Sequence, residues 1–395
     1  MNITSALFAF FATLVGMATI WLVKNKQTES TLKARFETID GLRGYLAFFV
    51  FLHHSVVNYV YLKTGVWESP DSNLYSMFGY GSVQLFFMIT SFLFFNKLLN
   101  DKQAKIDWPR FYVARLLRLY PLYLFSVVLI MLIIALLSKG NLQESYWELF
   151  KHVVAWLVMC LFGIANVNEV QGTNQINAGV AWSLSYEWIF YLAMPIFALL
   201  LKKKTTILWL IFSIAGVSLL AYFHPLLGAK AFLGGMIAAY LFKNEKFRQF
   251  AVSDFASLIV IVCCMVALGI NSTDNSDIII VGLTIAFILI ACGNNLFGAL
   301  THRISINLGD LSYSIYLLHG ILLFCTFNLL IDKSINLSPI LYWCVIMGIT
   351  PILILICHLT YQYIENPTMK STDRVMSWLK RIGNKSDGKI KNYSA

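Results

Sequence analysis

Charge is what this sequence has least of. Asp, Glu, Lys and Arg make up 13% of its 395 residues, about half the share of an ordinary soluble domain. Hydrophobic residues make up 58% and mean hydropathy is +0.69, so the shortage excludes a typical soluble fold and points to an integral membrane protein. Zinc-like cysteine spacing is missing too. Cys160, Cys263, Cys264, Cys292, Cys325, Cys344 and Cys357 all fall in apolar segments, where they read as small core residues. No His or carboxylate cluster has metal-ligand spacing, so no metal is expected. Repeats of 20–50 residues, low-complexity tracts and an appended soluble domain are not legible. The net charge is +10, but the basic residues are dispersed over loops, as membrane topology requires, and nucleic acid is not expected as a partner.

Apolar runs are what the sequence has in quantity. Eleven occur, near 4–23, 41–62, 80–99, 116–137, 182–201, 205–223, 229–242, 254–270, 278–293, 311–331 and 339–364, each read as long enough to cross about 30 Å of hydrocarbon. The expected fold class is an all-α integral membrane protein of about eleven transmembrane helices. The first run lacks a positively charged start and a small-residue cleavage site, and Lys24 and Lys26 follow it. It reads as a retained N-terminal anchor with its N-terminus outside. Basic residues crowd 24–43, 97–118, 202–204, 243–248 and 370–391, and the positive-inside rule assigns these segments and the C-terminus to the cytoplasm. A full crossing at 150–165 would put Lys202, Lys203 and Lys204 outside, so 150–181 is expected to be a re-entrant or interfacial excursion. Its polar part, GIANVNEVQGTNQINAG at 163–179, is either the lining of a wet substrate chamber or a plain external loop. The expected organisation is an anchor helix and basic linker at 1–34, a membrane domain at 35–368 and a basic tail at 369–395, too short and polar to fold alone.

The densest chemical signal is RGYLAFFVFLHH, in which ten residues separate Arg43 from His54. A cation and an imidazole on one membrane helix are costly, which makes them functional candidates by default. Eleven helical steps return to nearly the same face about 16 Å along the axis, so Arg43 can sit at a mouth and His54 well inside the membrane. Asp40 shares that face, whereas His53 points about 100° away. Arg115 and Arg118 are three residues apart and share one helix face. Their guanidinium forks suit phosphate, although snorkelling to headgroups is a competing role.

Other motifs recur along the chain. Trp182-Ser183-Leu184-Ser185-Tyr186-Glu187-Trp188 places Ser183 and Glu187 one turn apart, and a carboxylate there needs an arginine or imidazole partner. Ser312, Tyr316 and His319 form a stripe whose hydroxyls can bond across helices. His319 itself reads as a structural histidine, because no charged companion sits nearby on its own helix after Asp310. Glu365-Asn366-Pro367 ends the last run, with Glu365 placed to counter the basic mouth. Asn271-Ser272-Thr273 matches a glycosylation pattern too short to carry weight.

Together these segments resemble the acyltransferase-3 family of multi-spanning membrane acyltransferases over roughly 35–368. Asp40-Gly41-Leu42-Arg43-Gly44 with His54 is similar to that family's basic-residue, ten-spacer, histidine motif. Leu85 through Leu93 is similar to its second-helix signature, and Arg115 with Arg118 to its paired arginines. Trp182–Glu187, Leu308–His319 and Glu365-Asn366-Pro367 follow in the family's order. One departure stands out: family members usually carry Ser-Gly where this chain has Thr90-Ser91, so the close backbone approach that glycine permits is lost or moved.

The resemblance implies a ten-helix core preceded by the anchor helix, and transfer of an acyl group, usually acetyl from acetyl-CoA, to a sugar hydroxyl. It makes His54 the expected catalytic residue, as general base or as a transient acyl carrier. Arg43, Arg115 and Arg118 would hold the coenzyme's phosphates, with Arg43 and Glu187 supporting the chemistry. Expected partners are acetyl-CoA, membrane lipid, a carbohydrate or lipid-linked glycan acceptor and glycan-synthesis proteins, at the cell inner membrane. A multi-spanning transporter or flippase of a glycan or small molecule is the alternative, but no matching pair of interrupted helices marks two halves. A non-catalytic scaffold would leave the shared face of Arg43 and His54 unexplained.

Overall fold

Each of the eleven apolar runs is helical. The computed structural model describes residues 2–24, 36–100, 106–224, 228–270, 276–331 and 337–392, with side chains in the last stretch through 382. Lys26 and the Asn271–Thr273 motif lie outside the described residues. The helices are α1 (Ala6–Lys24), α2 (Glu37–Thr64), α3 (Asn73–Asn100), α4 (Trp108–Leu137), α5 (Tyr146–Leu157), α6 (Trp182–Leu200), α7 (Ile207–Phe223) and α8 (Ala229–Leu241). Then follow α9 (Glu245–Ala251), α10 (Asp254–Gly269), α11 (Ser276–Ala291), α12 (Arg303–Asp310), α13 (Ser312–Phe324), α14 (Pro339–Thr360), α15 (Asn366–Lys370) and α16 (Thr372–Asn392). No strand occurs among the described residues.

Eleven apolar helices do not amount to eleven crossings by length. Among the described residues seven are long and apolar enough: α1, α2, α3, α4, α6, α13 with its continuation to Leu330, and α14 with its continuation to Lys370. The pair α9 and α10, bent by 71°, makes an eighth if it counts as one span. The apolar parts of α7, α8 and α11 reach 17 residues at most, and a helix of 13 residues rises only about 20 Å. Large apolar side chains face outward, among them Leu200, Ile207, Leu208 and Ile211 at 58–71% exposure. On a soluble protein such a surface would aggregate; on these helices it is suited to lipid.

α2 is the hub, lying against α3, α12 and α13. α12 approaches it at Gly309, where a Cβ would come within 1.9 Å of the Asp40 carbonyl oxygen. Only glycine fits there, and the contact clamps the turn of α2 that carries Arg43. α3 lies along α8 in a similar way. A Cβ on Gly235 would meet Ser91 Oγ at 1.9 Å and the Met88 carbonyl oxygen at 2.1 Å. The glycine contact missing at Thr90-Ser91 is therefore moved to the facing helix. α1 packs on α14, with the Phe8 ring stacked 5.3 Å from that of Trp343 and Trp343 Nε1 donating to the Ile3 carbonyl at 2.9 Å.

The segment 150–181 is the short helix α5 followed by turns and a single 3-10 turn, Thr173–Asn177. Its bonds are largely internal: Trp156 Nε1 donates to the Ala165 carbonyl at 2.9 Å and the Val167 amide to Thr173 Oγ1 at 3.1 Å. The Asn168 amide donates to Glu144 Oε1 at 2.7 Å, tying the segment to the turn before α5.

In the tail, α16 forms and is tied to α4 by an ion pair of 2.7 Å between Arg110 and Asp373, a tertiary contact that residue-by-residue polarity does not reveal. One expectation needs correction: not all the cysteines are core residues. Cys160, Cys292 and Cys357 are buried, but Cys264 and Cys344 are exposed on outward faces of apolar helices.

Candidate active site

A cavity of about 270 Å³ opens among α2, α3, α4, α6 and α13. Arg43 enters it from α2, Lys97 and Thr90 from α3, Arg115 and Arg118 from α4, and Glu187 from α6. The helix spacing delivers these groups as expected, since Arg115 and Arg118 share a face and both reach the cavity. Its walls are otherwise largely aromatic and aliphatic, including Phe86, Phe94, Tyr191, Tyr313 and Tyr316.

The electrostatics of this cavity are unbalanced. Four cations, Arg43, Lys97, Arg115 and Arg118, line it against one carboxylate, Glu187. Glu187 Oε1 accepts a hydrogen bond from Thr90 Oγ1 at 3.0 Å and sits within electrostatic reach of all three arginines. Among the described residues the hydrogen bond of Glu187 goes to a hydroxyl, while the arginines act on it through their charge. Arg43 is 3.9 Å from Asp40 on its own helix. The Arg115 guanidinium lies 4.8 Å from the centroid of the Phe94 ring, and its Nε is buried with no hydrogen-bond partner. With three guanidinium groups and an ammonium converging on it, the cavity suits an anion with several acceptor oxygens.

His54 does not line this cavity. It lies further along α2, where its Nδ1 is 3.0 Å from Nε2 of the fully buried His319 of α13. The Trp67 ring lies at 20° to that of His54, with centroids 6.4 Å apart. His53 faces elsewhere, as the helix geometry requires, with Nδ1 2.7 Å from the Tyr75 carbonyl. Tyr316 links the two regions: it lines the cavity, its hydroxyl is 2.7 Å from Ser183 Oγ, and its ring centroid is 6.4 Å from that of His319. The cross-helix hydroxyl bond expected of the Ser312–His319 stripe is thus present.

His319 is fully buried with both ring nitrogens partnered, Nδ1 2.8 Å from the Ile315 carbonyl and Nε2 3.0 Å from His54 Nδ1, as a structural histidine is. Its companion is absent from its own helix and arrives from α2, which only packing could bring. Glu365 stands near the basic groups but outside the cavity: it is buried, accepts from Ser314 Oγ and stays within electrostatic reach of Arg118 and Arg43. The polar stretch 163–179 contributes no side chain to the cavity either; its 3-10 turn rests on α13. In the sequence Lys97 stands out only as part of the basic stretch 97–118, and Thr90 only as the neighbour of Ser91, which stands at the family's glycine position. Tyr191 and Tyr313 carried no sequence signal beyond apolar helix character.

A family model described as an acyltransferase domain, acyltransferase-3, matches residues 36–359. The chain belongs to the acyltransferase-3 family. The five charged groups that line the cavity, and both members of the His54–His319 pair, lie inside the matched region. Among curated relatives, proteins of Staphylococcus aureus strains COL, MSSA476 and N315 that bear the name "Putative O-acetyltransferase" are each 23% identical over 381 residues, covering 86% of this chain. The chain spans 58% of the length of these relatives. No solved structure matches it.

Proposed function

We propose that this acyltransferase is an O-acetyltransferase of the cell inner membrane, moving acetyl from cytoplasmic acetyl-CoA to a hydroxyl of a carbohydrate acceptor, such as a surface polysaccharide or its lipid-linked precursor. The observation that carries this reading is the convergence of Arg43, Arg115, Arg118 and Lys97 on one cavity whose cationic excess Glu187 alone does not balance. Phosphates of a nucleotide-bearing donor supply the missing negative charge. The volume of about 270 Å³ is near the low end of small-ligand pockets, roughly 300–1,000 Å³. It suits a narrow thioester arm, with the bulky nucleotide held at the mouth.

His54 supplies the base. A hydroxyl is a weak nucleophile until a nearby imidazole takes its proton. The acceptor oxygen then attacks the thioester carbonyl, the carbon–sulfur bond breaks, and the proton carried by His54 returns to the leaving thiolate. The products are an O-acetyl ester and free coenzyme thiol. The name borne by the curated relatives supports oxygen as the acceptor atom. Membrane lipid surrounds the protein, and glycan-synthesis proteins are the expected neighbours that present the acceptor.

The test is transfer of radiolabel from acetyl-CoA by purified protein in liposomes, with a crude glycan acceptor present or withheld. Label that moves to the glycan supports the proposal. Acetyl-CoA left intact under both conditions overturns it.

A further inference from the structure

The mechanism above uses one nitrogen of His54 and leaves the other unexplained, as it does the whole of His319. Both rings are in a segment where polar atoms must find protein partners, because hydrocarbon offers none. His319 Nδ1 lies 2.8 Å from the carbonyl oxygen of Ile315, one turn back on α13. A carbonyl can only accept, so Nδ1 of His319 carries the proton; the reverse assignment would set two lone pairs against each other at that distance. In a neutral ring this leaves Nε2 of His319 as an acceptor. The contact of 3.0 Å with His54 Nδ1 then requires His54 to carry its own proton on Nδ1, on a ring that also has a backbone hydrogen bond to Val50 one turn back on α2. The remaining nitrogen of His54, Nε2, is unprotonated.

We infer that His319 is the positioning residue of this acyltransferase: through Ile315 it fixes the tautomer and orientation of His54, so that His54 Nε2 is the atom that receives the acceptor's proton. The inference rests on the proposed acyl transfer and specifies what holds its base. The logic is that of a base oriented by a third group. Here the orienting group is a neutral imidazole, which places no permanent buried charge beside the base. When Nε2 of His54 takes the hydroxyl proton, the ring becomes a cation that still donates Nδ1–H to His319, and a bond to a charged donor is stronger than one between neutral groups. The interaction therefore strengthens as the proton moves, the condition under which it lowers the barrier. Full burial of His319 and the flanking Phe51 ring, 6.3 Å away, restrict the alternatives open to its imidazole.

Two variants and one spectroscopic measurement test this. H319L removes the acceptor while keeping apolar volume; H319Q keeps an acceptor oxygen near the position of Nε2. With acetyl-CoA as donor and the crude glycan as acceptor, H319L is expected to lose roughly a hundredfold in kcat with KM for acetyl-CoA unchanged, and H319Q to recover part of that loss. H54A combined with H319L is expected to be no worse than H54A alone. Ring-nitrogen NMR of the full chain labelled with 15N-histidine, assigned by comparison with H54A, should show His54 as the Nδ1–H tautomer in the unaltered protein and a shift towards Nε2–H in H319L. A His54 found as Nε2–H in the unaltered protein overturns the inference whether or not any variant folds. So does wild-type kcat in H319L, or a loss in H319L that adds to that of H54A. Failure of the acyl-transfer reading shows separately, as acetyl-CoA left untouched by the unaltered protein.

Discussion

His54 on α2 and His319 on α13 are 265 positions apart in sequence and share one hydrogen bond, 3.0 Å between Nδ1 and Nε2. This bond ties two packed helices together at the level of the proposed base, while the cationic cavity lies further along the same face of α2. His54→Ala should still insert and fold, since the loss leaves one buried nitrogen of His319 unsatisfied at about 1–3 kcal/mol. Acetyl transfer should fall by roughly two to four orders of magnitude. Rates from matched amounts of liposome-reconstituted protein check this, and retained activity would remove His54 from the chemistry.

Arg115→Ala with Arg118→Ala should weaken the donor more than it slows the bound-state reaction. Hydrogen bonds to charged groups contribute about 1.5–3 kcal/mol each, so losing even one contact should weaken acetyl-CoA binding by roughly tenfold or more. Titration with acetyl-CoA gives the answer directly. An unchanged affinity would mean that the two arginines face phosphate only in lipid headgroups.

Thr90→Ala removes the hydrogen bond to Glu187 without touching any charge. A loss of about 1 kcal/mol in stability is expected, with a larger one for Glu187→Ala, which removes the one lining carboxylate among the described residues. Melting temperatures in detergent should rank the unaltered chain above Thr90→Ala, and Thr90→Ala above Glu187→Ala.

Gly309→Ala should be among the most damaging single-methyl changes in this protein. Its Cβ would sit 1.9 Å from the Asp40 carbonyl oxygen, so α12 must retreat from α2 at a cost of at least about 1–3 kcal/mol, displacing the turn that bears Arg43. Gly348→Ala has no atom within 4 Å of the added carbon and should be neutral. Comparable melting points for the two variants would show that the clamp is looser than the geometry implies.

Lys204→Cys, in a background lacking the seven native cysteines, should react with an impermeant maleimide only from the cytoplasmic side. Labelling from outside would mean that the segment 150–181 crosses the membrane after all.

Much of this molecule was legible before its structure. Membrane character follows from the shortage of charge, and each apolar run became a helix because backbone polar groups in hydrocarbon must be satisfied within the segment. Arg43, Arg115, Arg118 and Glu187 stood out because charge is costly there, and spacing put the two arginines of α4 on one face. What tertiary structure alone decided is which faces meet. His319 gained its partner from a helix 265 residues away. Lys97 and Thr90 joined the cavity because α3 turns them towards α4 and α6, and the glycine missing beside Thr90 was replaced by Gly235 on the facing helix. Helical periodicity is a property of one segment; the approach of two segments depends on the shapes of both, and no single stretch of sequence contains that information.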